Sequence, residues 1–446
     1  MNFFIASPDF TFSNARMARI TRVFSLLIIA LFISLQATAQ SERILSGQVT
    51  DASNGEAIPF ATVTLKSSLI GTITNEFGKF DLHIPAEITE DQLIVTLIGF
   101  QYKEFPLSSL TSPVSVKLSP VAIDMKEVLI KPQPPTYYIT LAMRSLKSNY
   151  PSKPFETQSY YRENIKENEN YLRGHEGVFK SYYPAFQDSS KNQHKLILFR
   201  KAETISELAF MKKERLKDEA KEKKKEAKAI KKGKAVPKKE VGEDSLKIGE
   251  VFGGPDNLLK MADLFRGADN FLDTTQFKNY TYSFAKSSSF NNAALMVIQF
   301  KSRGKVDHTR EEGKIYIDIA TNAIVKIESH GTYVIPTLVR PVLFVMGIGV
   351  ENPKFVSSLE FQEINNLWYP KNMQYNLDMN VEKKRMFAAN DNSNFKIFGF
   401  LTVNKLNTTS ATPVEASKRY TDNKKPEEQV FNEEKLNWSE INMIKR

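Results

Sequence analysis

Gly47-Gln-Val-Thr-Asp51, Ala61-Thr-Val-Thr-Leu65, Ile70-Gly-Thr-Ile-Thr-Asn-Glu-Phe-Gly-Lys-Phe-Asp-Leu82 and Leu93-Ile-Val-Thr-Leu97 decide the fold of the first part of this 446-residue chain. Ala61, Val63 and Leu65 share one face of an extended strand, and Leu93, Val95 and Leu97 repeat the two-residue period. Between them Asn75 and Gly78 tolerate tight-turn backbone, and Phe80, Leu82 and Ile84 fall on one side of the strand that follows. The pattern predicts a hairpin over 70–82 inside a small all-β sandwich running from Ile44 to Lys131.

The ordered signals are Gly47, Asp51, Gly55, Ile58-Pro59, Ala61, Val63, Gly71, Thr74, Gly78, Phe80, Ile84, Gly99-Phe100, Leu118 and the exit Lys126-Glu-Val-Leu-Ile130. In these residues the segment resembles the carboxypeptidase regulatory-like domain, a seven-stranded sandwich of transthyretin type abundant in exported proteins of the Bacteroidetes. Two positions depart from that family: Asn75-Glu76 stands where an Asp is usual, and Phe60 where a Gly is usual. The resemblance implies an accessory module and no peptidase chemistry.

The residues agree with that reading. A catalytic zinc needs three protein ligands and an open position. The five histidines are His83, His175, His194, His308 and His330, and only His308-Thr-Arg-Glu311 has the His-x-x-Glu spacing. His330 follows too closely to be that family's third ligand, and His175-Glu176 lacks the second histidine of a His-Glu-x-x-His helix. No nucleophile elbow, phosphate-cradling loop or dinucleotide fingerprint occurs. The chain has no cysteine, which excludes thiol catalysis, Cys-ligated metals and disulfides. The expectation is a protein without catalytic residues, metal or cofactor.

The beginning of the chain reads as an export leader over 1–39. Arg16, Arg19 and Arg22 precede the apolar run Val23–Leu35, and Ala37-Thr-Ala39 places small residues before a cleavage point between Ala39 and Gln40. That run has 13 residues, against the roughly 20 that span a bilayer. Met17 would give a more ordinary leader than Met1. Without cysteine the mature end has no site for lipidation as a bacterial lipoprotein.

The net charge of +10 and pI near 9.2 would ordinarily raise nucleic acid as a partner. Met211–Lys239, however, holds fourteen basic against five acidic residues, a net of +9, and the leader adds +2, so the rest of the chain carries −1. Nucleic acid is therefore not expected. The stretch Lys212–Lys232 is rich in helix formers but has no apolar stripe, because Leu216, Ala220, Ala227 and Ile230 do not line one face. It reads as a solvated charged insertion, with contact between Lys212–Lys239 and anionic lipid headgroups as the sharper alternative.

After a Pro-rich connector over 132–136, a second domain is expected over 137–407, with the insertion at 211–239 and a polar tail at 408–446. Tyr138, Leu141, Ala142, Leu146 and Tyr150 have helical spacing up to Pro151. Tyr280–Phe284, Ala294–Phe300, Gly313–Ile319, Ile324–Glu328, Ser358–Ile364 and Leu367–Tyr375 read as strands of an antiparallel meander, with turns at Thr321-Asn322 and Asn365-Asn366. The Ile-Tyr-Ile-Asp and Ala-Ile-Val-Lys-Ile hairpin followed by Leu367-Trp-Tyr-Pro370 resembles the half-closed antiparallel barrel of LolA-type lipoprotein carriers, wrapped around a helix, over 277–404. Asn149-Tyr-Pro151 and Tyr160-Tyr-Arg-Glu163 are similar to stretches of exported Bacteroidetes proteins of unknown function. The fold class expected for the whole is mainly β: a seven-stranded sandwich and a larger half-barrel α+β domain. Phe431 and Trp438 could dock the tail onto the barrel.

Val334–Val350 is the most apolar segment after the leader, broken by Pro336, Arg340 and Pro341. As a loop it is either a plug that closes the barrel core or an apolar lip over a cavity or membrane, with Leu338, Val342, Leu343, Phe344 and Met346 as the candidate ligand-binding residues. Function then divides into a non-catalytic cell-envelope protein that binds a protein partner or apolar ligand, a lipid or lipoprotein carrier, and a component associated with an outer-membrane transport system. The front end of a TonB-dependent transporter is disfavoured, since fewer than 320 residues follow the sandwich.

Overall fold

The computed structural model describes residues 43–121, 133–202, 254–266, 270–335, 340–384 and 389–444, save positions 169, 187, 189, 292 and 346, with seven helical positions between 216 and 228. The export leader, with Ala39 and Gln40, lies outside the described residues, as does most of the charged insertion. Among the insertion's described positions, helical from Leu216 to Lys228, all but Glu219 are exposed.

The first part is a seven-stranded sandwich. β1 (Arg43–Asp51) lies between antiparallel β4 (Lys79–Ile84) and parallel β7 (Val114–Leu118). The second sheet has the order β3 (Gly71–Ile73), β2 (Thr62–Leu65), β5 (Gln92–Thr96), β6 (Lys103–Pro106). The two-residue period does what it predicts: Ala61, Val63, Leu65, Phe80, Leu82, Ile84, Leu93 and Val95 are completely buried, each such large side chain contributing about 1.5–3 kcal/mol. One expectation is corrected. The turn at Asn75–Gly78 forms, with Asn75 accepting from the amides of Phe77 and Lys79 and Gly78 at φ +70°. It joins no hairpin, because β3 pairs with β2 and β4 with β1. The turn carries the chain from one sheet to the other.

The second part is a single open antiparallel sheet of twelve strands. Its main path runs β10 (Gln193–Ala202), β9 (Asn170–Tyr183), β8 (Phe155–Glu167), β19 (Asp391–Asn407), β18 (Leu367–Lys383), β17 (Lys354–Ile364), β15 (Ile324–Tyr333), β14 (Thr309–Asp318), β13 (Ala293–Ser302), β11 (Tyr280–Phe284). β12 (Ser288–Phe290) pairs with β13, and β16 (Ile348–Val350) with β18. The turns sit where expected, with Asn365 and Asn366 both left-handed in a two-residue hairpin. No individual strand is expected over 155–202, yet three long ones are there.

One face of this sheet packs α1 (Pro135–Arg144), α2 (Leu146–Asn149) and α3 (Asp256–Met261). Ile139, Ala142, Tyr150, Leu258 and Leu259 enter a core with Tyr161, Phe179, Phe361, Met373 and Leu401. Asn149 Nδ2 donates to Thr321 O at 2.8 Å and Tyr150 Oη to Ile324 O at 2.5 Å, tying the helix end to the β14–β15 turn.

The opposite face carries the sandwich and the tail. Ile73 packs with Tyr160, Val178, Ile197 and Phe400 of the sheet and with Ile441 and Ile444 of the tail. Phe60, in the position where the family prefers glycine, has φ +59°, and its ring lies 6.4 Å from those of Phe398 and Phe400. The tail crosses β10 with Phe431 N donating to Leu196 O and Trp438 against Arg200 at 4.2 Å. Asn442 then joins the two modules: it accepts from His83 N at 2.6 Å and its carbonyl accepts from Asn404 Nδ2 at 2.5 Å. Beneath the tail, Glu176 is buried and takes hydrogen bonds from Tyr160, Arg162 and Arg200. Those donors outweigh its desolvation and hold its carboxyl down at about 2.

Candidate functional site

On the helix-bearing face, β14, β15 and β17 each place polar residues where the period demands inward side chains. Glu311 is in phase with Ile315, Ser329 with Ile327, and Ser357 with Phe355 and Leu359. Ser329 sits directly opposite Ser357 in the ladder, and Glu311 lies one step along β14 from the partner of Ser329. The polar residues therefore form one patch in an otherwise apolar floor.

Above the patch is a cavity of about 260 Å³. Its roof comes from Met261, Leu264, Asn270 and Phe271. Phe271 stacks on Phe300 with centroids 3.8 Å apart, and its carbonyl accepts from Tyr282 Oη at 2.8 Å. Asn270 ties the roof to itself, donating to Leu264 O and accepting from Leu272 N. At the mouth the β13–β14 hairpin puts Val306, Asp307 and Thr309. Asp307 and His308 are consecutive left-handed residues, and His308 O is fixed by Val334 N at 2.7 Å.

Glu311 is the chemical centre. Burial pushes its carboxyl above the ordinary range, partly opposed by hydrogen bonds from Ser329 Oγ and Tyr280 Oη, both at 3.0 Å. Among the described residues no cation pairs with it. Burial and the Glu311 charge raise the Tyr280 and Tyr282 hydroxyls in turn, and the Tyr333 hydroxyl, bonded to Tyr375, is also raised by burial. The lining contains no lysine, arginine or histidine. Such a site can hold a small ligand between aromatic walls and one half-buried carboxyl.

The residues expected from sequence lie elsewhere. Leu338 and Met346 lie outside the described residues, and the side chain of Val342 is not described. The segment is not a plain loop: α4 (Arg340–Val345) and then β16 occupy it. Leu343 packs against the cluster of Ile348, Phe355 and Val381, which adjoins the cavity through Phe355. Phe344 is 74% exposed, with Lys384 Nζ 5.8 Å from its ring centroid. Both edge a separate shallow depression with Ile335, Arg340 and Glu351, and neither lines the cavity over Glu311. The His308-x-x-Glu311 spacing brings no ligand pair together: His308 is exposed at the hairpin, and His330 bonds Glu312 at 3.2 Å. Glu311 was legible as an acid in an inward phase, a signal hidden by its place in that chance motif.

Comparison with known proteins assigns the first module. Residues 45–130 match the CarboxypepD_reg-like domain family. No protein of curated function matches the chain. Among solved structures, a LolA superfamily protein from Nitrosomonas europaea shares 6% identity over 63% of this chain and 96% of its own, with a TM-score of 0.23. A DUF1329 family protein from Desulfovibrio piger shares 9% over 63% and 96%, also at 0.23. Lipovitellin, in a structure describing its lipid–protein interactions, shares 8% over 60% of this chain and 26% of its own, at 0.26. Similarity at this level carries no fold, ligand or activity to this chain.

Proposed function

We propose that this is an exported, non-catalytic cell-envelope protein in which the sandwich serves as a rigid docking or spacing module and the large sheet binds one small ligand in the cavity over Glu311. The observation that carries the reading is the cavity itself: roofed by hydrogen-bonded aromatic structure, floored by a half-buried carboxyl that no cation among the described residues pairs with. Export rests on the order of basic region, apolar run and Ala37-Thr-Ala39 in the sequence. No helix among the described residues is long and apolar enough to cross a membrane. Envelope proteins are the natural partners of a strapped sandwich, and Lys212–Lys239 supplies the charge for contact with anionic headgroups.

A lipid or lipoprotein carrier is the second reading, favoured by exposed Phe344 beside Lys384. It is weakened by packing: side chains fill the space between sheet and helices, the cavity of about 260 Å³ has room for a small molecule but not for a lipid with two acyl chains, and the depression of about 500 Å³ beside Phe344 is open. The test is mass spectrometry of organic extracts from protein purified without detergent from its own envelope, beside a Ser357→Phe variant that fills the cavity. A small molecule present in the first and absent in the second supports the proposal. Stoichiometric phospholipid in both favours the carrier, and a clean extract from both removes the cavity as a binding site.

A further inference from the structure

We infer that the cavity over Glu311 takes an organic cation, a small amine or quaternary ammonium. The inference rests on the ligand-binding reading above and adds the chemistry of the ligand. Two acids meet the space, Glu311 at the floor and Asp307 at the mouth, and among the described residues no basic side chain lines it. Four aromatic rings share the walls: Phe271, Tyr280, Tyr333 and Phe355. Ring faces attract cations through their quadrupole, and the attraction grows where water is excluded. An anion entering this space would face both carboxylates without a counter-charge. A purely apolar guest would strip the remaining water from the half-buried carboxyl and leave it only the Ser329 and Tyr280 hydroxyls, a costly arrangement for its charge. Only a positive, partly apolar guest satisfies floor and walls together.

The electrostatics around Glu311 are consistent with a waiting acid. The titratable groups that face it are Tyr280 and Tyr282 from β11, Tyr333 from β15 and, at the mouth, Asp307. None of them is a base. A bound ammonium would favour the ionised carboxylate, so the complex forms more readily as pH rises through the Glu311 range and releases a proton on binding.

The experiment is calorimetric titration of the full mature chain with choline and with 3,3-dimethylbutan-1-ol, its uncharged carbon isostere, at pH 7.5. The expected result is saturable choline binding, at least tenfold weaker binding of the isostere, and at least a tenfold loss in Glu311→Gln. Because the wild-type pair of probes carries the comparison alone, a variant that fails to fold does not obscure it. Equal binding of the two probes overturns the cation assignment and leaves the small-ligand reading standing. Binding of neither overturns the cation assignment, and the extraction experiment then decides the cavity by itself.

Discussion

Lys371 gives the sharpest test of how the two modules are joined. It is the extra residue of a bulge in β18, between the partners of Glu360 and Phe361, and is 2% exposed. Its Nζ donates one hydrogen bond, to Val403 O at 2.8 Å, and the backbone of the sandwich comes close: a Cβ on Gly71 would lie 3.1 Å from that nitrogen. Desolvation lowers its pKa from 10.5 to about 7. Between those values the unfolded chain holds a proton that the folded protein gives up, so stability rises with pH through the window and is lowest at its acid end. At about 1.4 kcal/mol per unit, and with the folded lysine half protonated at pH 7, raising the pH from 7 to 9.5 adds roughly 3 kcal/mol through this group. Lys371→Met keeps the volume and removes the titration. Urea denaturation of both proteins across that range should show the variant's advantage shrinking by ~3 kcal/mol. Parallel pH profiles would refute the claim that Lys371 is held neutral between the modules.

Four further outcomes follow, three of them from the same interface. Phe60→Gly relieves a left-handed conformation worth about 1–2 kcal/mol, but loses a half-buried ring against Phe398 and Phe400 worth somewhat more, about 2–3 kcal/mol; urea titration should show a net loss near 1 kcal/mol. Asn442→Ala removes the side-chain bonds to the His83 backbone, while the residue's own carbonyl still accepts from Asn404, and should cost about 1–3 kcal/mol, seen as a lower melting temperature with unchanged far-ultraviolet dichroism. Glu176→Gln leaves Arg162 and Arg200 together without their carboxylate, so it should destabilise by about 3 kcal/mol at pH 7. The wild type loses this support as pH falls from 4.5 toward about 2, so the two acid-unfolding curves should converge there. Deleting Lys212–Lys239 should leave the melting temperature nearly unchanged; a large fall would show that the segment packs.

What could be read from the sequence divides along a physical line. The sandwich was legible because its strands are short, half-buried and punctuated by Gly and Asn, so a two-residue period shows without knowing any partner. The hairpin expected at 70–82 failed for the complementary reason: the turn at Asn75–Gly78 is local, but whether its flanks share a sheet depends on β1 and β2, far away in sequence. β8–β10 escaped notice because both of their faces are covered. Tyr160 and Val178 meet the sandwich and tail while Tyr161 and Phe179 meet the helices, and polar Thr157, Ser159, Glu163 and Glu176 are buried beside them, so the apolar alternation that marks a half-buried strand does not show. The tail reads as polar, yet Ile441 and Ile444 are buried among residues of two other modules. Its few apolar positions matter through what they touch.

Bulges show how one sheet can serve two coverings. Ile197 in β10, Asn404 in β19 and Lys371 in β18 are each the unpaired extra residue of their ladder. All three are turned toward the sandwich and tail: Ile197 packs with Ile441, Asn404 bonds Asn442 O, and Lys371 lies beside Gly71. A regular strand sends alternate residues to opposite faces, and an inserted residue re-aims a side chain while bending the strand. Repeated in three strands, the device marks where the sandwich and tail rest and leaves the inward phase of β14, β15 and β17 to build the cavity. The module that has a known family and the site proposed for ligand binding thus lie on opposite faces of one sheet, and the sandwich can meet a partner without closing the cavity over Glu311.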